Sequence, residues 1–102
     1  MSSESVVKEK SLSPREALIK KIEELTPGQA VSYTLPETYG SGLAVITLNP
    51  DYPGKGRKKY IMLREGLVNG KPSGQRKTLF ESDKSKELAS WIMDRAGKPF
   101  TG

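Results

Sequence analysis

Residues 43–48 read Leu-Ala-Val-Ile-Thr-Leu, LAVITL, and the fold turns on that run. A strand with one face in water alternates apolar with polar residues, whereas a strand sealed on both faces does not. LAVITL is apolar at odd and even positions alike and carries β-branched side chains, so it predicts a central strand. Outward from it on the N-terminal side, 29–35 (QAVSYTL) alternates, with Val31, Tyr33 and Leu35 on one face and Ala30, Ser32 and Thr34 on the other. On the C-terminal side, 58–64 (KKYIMLR) sets Tyr60 and Met62 against Ile61 and Leu63. A fourth run, 75–81 (QRKTLFE), begins polar and brings Leu79 and Phe80 to the core.

The segments between these runs are made of turn residues. They are 36–42, ending in Gly40-Ser41-Gly42, then 49–56 (NPDYPGKG), then 65–74 with Asn69-Gly70 and Pro72-Ser73-Gly74. Leu67-Val68 either extends the third strand or belongs to that last turn. Consecutive strands with short connections predict an antiparallel meander.

A helix is expected at each end of the sheet. Ser13-Pro14-Arg15-Glu16 spells a capping box with proline at the first helical position, and Leu12 can staple onto Ala17. Leu18, Ile22 and Leu25 then fall on one face, and Thr26-Pro27-Gly28 ends the helix. After the fourth strand, Ser82-Asp83 offers N-cap oxygens. A helix with Leu88, Ala89, Trp91 and Ile92 on its apolar face runs to about Ala96, and Gly97 supplies a left-handed C-cap before Pro99. Trp91 reads as a core anchor. The expected fold is α+β: a four-stranded, mainly antiparallel meander flanked by an N-terminal and a C-terminal helix, in the order α-β-β-β-β-α. The helices would cover one sheet face and leave the other open or used by a partner.

With 102 residues the chain is one domain, expected over 13–102, with 1–12 too short and polar to order. It contains no cysteine and no histidine, which removes disulfides, thiol nucleophiles, catalytic triads and zinc-hydrolase sites. The carboxylates are dispersed, so no enzyme, cofactor or metal site is expected. Val6-Val7 is the only apolar pair in 1–13, which is no export-signal core, and no stretch approaches a membrane span; the cytoplasm is the expected compartment.

The charge becomes informative once it is located. The net value is +5, yet 54–78 holds eight basic residues, Lys55, Arg57, Lys58, Lys59, Arg64, Lys71, Arg76 and Lys77, against Glu65 alone. That segment carries +7, and the remainder, with nine basic and eleven acidic residues, carries −2. If the third and fourth strands pair antiparallel, Arg64, Lys71, Arg76 and Lys77 gather at one end of a hairpin and 55–59 at the other. Cations sharing a surface suit phosphates, because released counterions drive such binding. Tyrosines on an open sheet face suit unpaired bases, with Tyr60 first and Tyr33, Tyr39 and Tyr52 behind it. The expected function is therefore a small nucleic-acid-binding module, for single-stranded or shape-read DNA or RNA. Its site residues would be Lys55, Arg57, Lys58, Lys59, Tyr60, Arg64, Lys71, Arg76 and Lys77.

The bland reading is that these charges solvate a hairpin and the tyrosines pack in the core. The glycines and lysines of 54–59 also suggest a phosphate-holding loop, although the spacing is not that of a P-loop and a strand follows. Four strands followed by a helix, over about 58–95 with Gly74-Gln75-Arg76-Lys77-Thr78-Leu79 leading toward the last helix, loosely resemble single-stranded-DNA-binding transcriptional coactivator domains. Those domains dimerise and bind DNA on basic sheet surfaces, so the resemblance implies nucleic-acid binding; it assigns no residue a role. The rival expectation is a protein-interaction or regulatory module, a homodimer through an uncovered sheet face bearing residues such as Ile46 or Tyr33.

Overall fold

The Ser13 hydroxyl accepts from the Glu16 N–H, and the Glu16 carboxylate accepts from the Ser13 N–H, so both halves of the capping box form. In this computed structural model, which describes residues 13–36, 38, 42–95 and 97–100, that box opens α1, Pro14–Glu23. Leu18 and Ile22, one turn apart, are fully buried from it. The expected tail 1–12, the Leu12 staple and Tyr39 lie outside the described residues.

Four strands follow: β1, Ala30–Leu35; β2, Gly42–Leu48; β3, Tyr60–Val68; and β4, Lys71–Ser82. Helix α2 spans Ser85–Asp94, and a two-residue β5, Lys98–Pro99, closes the order. The α+β expectation and the order α-β-β-β-β-α hold, with β5 added. The sheet is antiparallel throughout and runs β4-β3-β2-β1-β5. Among the described residues no helix is long and apolar enough to cross a membrane.

Cross-strand pairing sorts the side chains. Tyr33 opposes Ala44, Ile46 opposes Met62, and Leu48 opposes Tyr60, so these share the face on which Leu18, Ile22, Leu88, Ala89 and Ile92 pack. The two helices are joined by the Ser85 hydroxyl, which donates to Glu23 at 2.8 Å. LAVITL is the central strand, as its composition requires. Its other face carries Leu43 and Val45, which with Ile61 of β3 are also buried. This corrects the expectation of an open apolar face: Ile46 and Tyr33 lie under the helices, and the apolar residues opposite them are covered too.

The structure moves several boundaries. β3 continues through Leu67-Val68, and β4 begins at Lys71 rather than 75. The whole reversal is made by Asn69 (φ +54°) and Gly70 (φ +78°), the two left-handed residues that a two-residue hairpin loop demands. Pro72-Ser73-Gly74 therefore belongs to the strand, where an irregularity in the β3–β4 register absorbs it. The N-cap of α2 is Lys84, not Ser82 or Asp83; the Ser82 hydroxyl accepts from the Lys84 N–H, and the Asp83 carboxylate accepts from the Lys59 N–H. α2 ends at Asp94, short of the expected Ala96.

Gly97 is glycine for a different reason than expected. It does not take a left-handed C-cap; a Cβ there would lie 2.6 Å from Ile92 Cγ2, and its N–H donates to the Ile92 carbonyl. Close approach to a fully buried isoleucine is what excludes a side chain. Gly97→Ala is expected to cost roughly 1–3 kcal/mol of stability, the usual range for overpacking, measured as a lowered urea midpoint at unchanged m-value.

Candidate functional site

The eight cations of 54–78 divide into two groups about 17 Å apart along β3, at 3.4 Å per residue between Lys59 and Arg64. One group belongs to the β2–β3 loop, 49–59. The other belongs to the distal part of the β3–β4 hairpin, here called the arm.

The loop group is largely committed to holding the loop in place. Asn49, only 5% exposed, donates to the Lys58 carbonyl at 2.9 Å and to Glu81 Oε1 at 2.7 Å, and accepts from the Asp51 N–H. Arg57 donates from Nε and Nη2 to the two oxygens of Glu81 and pairs with Asp51 at 3.3 Å. The Lys58 N–H also donates to Glu81, and the Lys58 ammonium stands 3.9 Å from Asp83. Glu81 is thereby held below the ordinary carboxylate value, first by Arg57 and then by the Lys58 N–H, while Arg57 is raised by the same bond. Lys59 sets its ammonium 5.4 Å from the centre of the Tyr60 ring, and Lys55 has no ion pair among the described residues.

The arm is built differently. Arg64 and Lys77 are cross-strand partners, which places two cations side by side on one face. Arg64 packs over Gly42, its Nη2 3.4 Å from where a Cβ would stand. Lys71 sits beside the turn, paired with Val68. Glu65, next to Arg64 but on the other face, is 4% exposed and fully used: it accepts from Arg76 Nε at 3.0 Å and from the Gly74 N–H at 2.7 Å. Those bonds, the Arg76 guanidinium first, hold its carboxyl below the ordinary value against the opposing effect of burial. Residues 71–79 of β4 are exposed on both faces, and no acid occurs between 71 and 80. The arm therefore offers Lys71 and Lys77 to solvent, while its one acid is turned inward.

Two of the charges expected to face a ligand are thus structural, Arg57 through Glu81 and Arg76 through Glu65. Among the described residues, Asp51, Glu81 and Asp83 come to the basic segment in space and lower its net charge from +7 to +4. Sequence reading missed this because Glu81 and Asp83 lie more than twenty residues further along the chain, and no local signal ties them to the loop. Tyr60 is corrected as a stacking residue. At 4% exposure it is part of the core, as is Tyr33, whose hydroxyl is raised by burial. Tyr52, on the loop, is 48% exposed.

No family model, curated protein or solved structure matches this chain. The chemistry must therefore be read from the residues themselves. Among those described, no group of three acids could hold a metal ion.

The Glu65 carboxylate makes a pH prediction. Its folded value lies below the ordinary 4.5, so the stability it contributes is complete above that value and is lost as pH falls through the lowered one. Glu65→Gln is expected to be less stable than wild type at pH 7, with the difference shrinking below pH 4.5. Urea midpoints at pH 7 and pH 3 measure it; a constant difference would mean that the charge of Glu65 does not matter.

Proposed function

We propose that this protein is a small nucleic-acid-binding module that holds phosphates with the arm of its β3–β4 hairpin. The observation that carries the reading is the exposure of Lys71 and Lys77 on a stretch, 71–79, that contains no acid, in an arm whose one acid, Glu65, is buried against Arg76. Exposed lysines of this kind neutralise phosphates and release their counterions, which favours binding of a polyanion.

The plainest competing account is that β4, an edge strand, uses charge to prevent edge-to-edge pairing. Lysine and proline are common edge protectors, so Lys71, Pro72 and Lys77 fit that account as well, and oligonucleotide binding is what separates the two. The exposed part of this edge, 71–79, carries cations alone. Homodimerisation through a sheet face draws no support from exposure: the exposed large apolar side chains among the described residues are Tyr52, Val68 and Leu79, on separate parts of the sheet and loop.

The test uses charge reversal at the arm and at the loop. Lys71→Glu/Lys77→Glu alters two exposed side chains that are in no ion pair among the described residues, so the fold is expected to survive. Oligonucleotide affinity is expected to fall steeply at low salt. The slope of log affinity against log salt is expected to shrink by about 1.4, two contacts at about 0.7 each for a single strand. Arg57→Glu is expected to lower the melting temperature instead, through loss of Glu81. Unchanged affinity in the arm variant would remove the arm from the binding surface.

A further inference from the structure

A second feature lies at the other end of β3. Two proline-bearing loops, the α1–β1 turn and the β2–β3 loop, stand apart over the end of β2 and enclose a cleft of about 420 Å³. Pro27, Leu48, Pro50, Tyr52 and Lys59 are among the residues that line it. That volume is in the range of small-ligand pockets. Tyr52 is the most exposed aromatic side chain among the described residues, and a half-exposed ring beside prolines is a surface that water solvates poorly.

The polar atoms of the cleft narrow the choice of occupant. Asn49 lines it, but its amide is spent on Lys58 and Glu81 and its oxygen on the Asp51 N–H. The side chains therefore offer a mostly apolar surface, the Tyr52 hydroxyl and one ammonium group, too few donors and acceptors to read the edge pattern of a base. Lys55, exposed and in no ion pair among the described residues, belongs to the same loop. An aromatic plane with adjacent cations matches one repeat of a single strand, a base with its phosphate, and matches it without sequence preference. A proline-rich peptide would also find aromatic and apolar walls, but the lysines give it nothing to pair with.

We infer that the Tyr52 cleft accepts an unpaired nucleobase, with Lys59 on the neighbouring phosphate, and so selects single-stranded over duplex nucleic acid. The inference rests on the nucleic-acid reading above and adds the ligand class. The arm holds phosphates of any strand, whereas the cleft requires a base free to leave its stack.

The experiment compares a 12-nucleotide oligodeoxythymidylate, an abasic oligomer of the same length and a duplex of the same length. Affinity for each is measured by anisotropy on wild type, Tyr52→Ala, Tyr52→Phe and Lys71→Glu/Lys77→Glu. Wild type is expected to bind the thymidylate roughly tenfold tighter than the abasic oligomer, the scale of one stacked base. Tyr52→Ala is expected to lose that preference and Tyr52→Phe to keep it. Tyr52 is exposed, so both variants are expected to melt with wild type, which a thermal scan checks. Equal binding of base-bearing and abasic oligomers, or unchanged preference in Tyr52→Ala, overturns the cleft while an effect of the arm variant leaves the phosphate reading standing. Binding of none of the three overturns both. A polyproline peptide that shifts the Gly28, Tyr52 and Lys59 amides where the thymidylate does not assigns the cleft to another ligand and overturns the inference.

Discussion

Strand β2 is buried on both faces, and the rest of the molecule is arranged around that requirement. Such a strand cannot fix its own register, because a slip of one residue exchanges one apolar set for another. Register is supplied by its neighbours. β1 and β3 differ between their faces, so a slip of β1 would put Ser32 and Thr34 beneath the helices and turn Tyr33 and Leu35 away from them. The helices then need only cover one face, which they do with Leu18, Ile22, Leu88, Ala89 and Ile92. The consequence for function is that β4, at the far edge, is not needed for the core along most of its length. Its first nine residues are free to be polar, and there the exposed cations of the arm accumulate.

What was legible in the sequence was local. The capping box of α1 involves residues three apart, and the Asn69-Gly70 turn needs only its own two backbone conformations. LAVITL announced its double burial by composition. What was not legible depended on contacts across the chain. Gly97 has the spacing of a helix C-cap, yet it is constrained by Ile92 packing against it. Ser82 and Asp83 have cap chemistry, yet the Asp83 carboxylate is engaged by the Lys59 N–H from a different strand. Tyr60 could be placed beside Met62 by alternation, but nothing local said that this was the face the helices would take.

The same limit applies to charge. A run of eight cations suggests one basic surface, and its sum is the same however the chain folds. Folding divides it into a loop whose arginine is bound by Glu81 and Asp51 and an arm whose acid is hidden by Arg76. Glu81 and Glu65 play matching parts: each accepts from one arginine and one backbone N–H, and each fixes an irregular stretch of chain against β3 or β4. Arginine suits this work because its fork satisfies a carboxylate in a fixed geometry, while the lysines left over are the mobile point charges a phosphate backbone can meet.

On the proposed reading the arm, joined from the loop only by Lys59 at the cleft, is the phosphate-contacting surface, and the basic segment as a whole is not. An amide-resolved titration with a short single-stranded oligonucleotide, first at low and then at moderate salt, tests it most directly. The account predicts shifts across 64–78 that fade as salt rises, because electrostatic binding is strongest when counterions are scarce. Silence of those amides at low salt would contradict it, and so would shifts there that salt leaves unchanged.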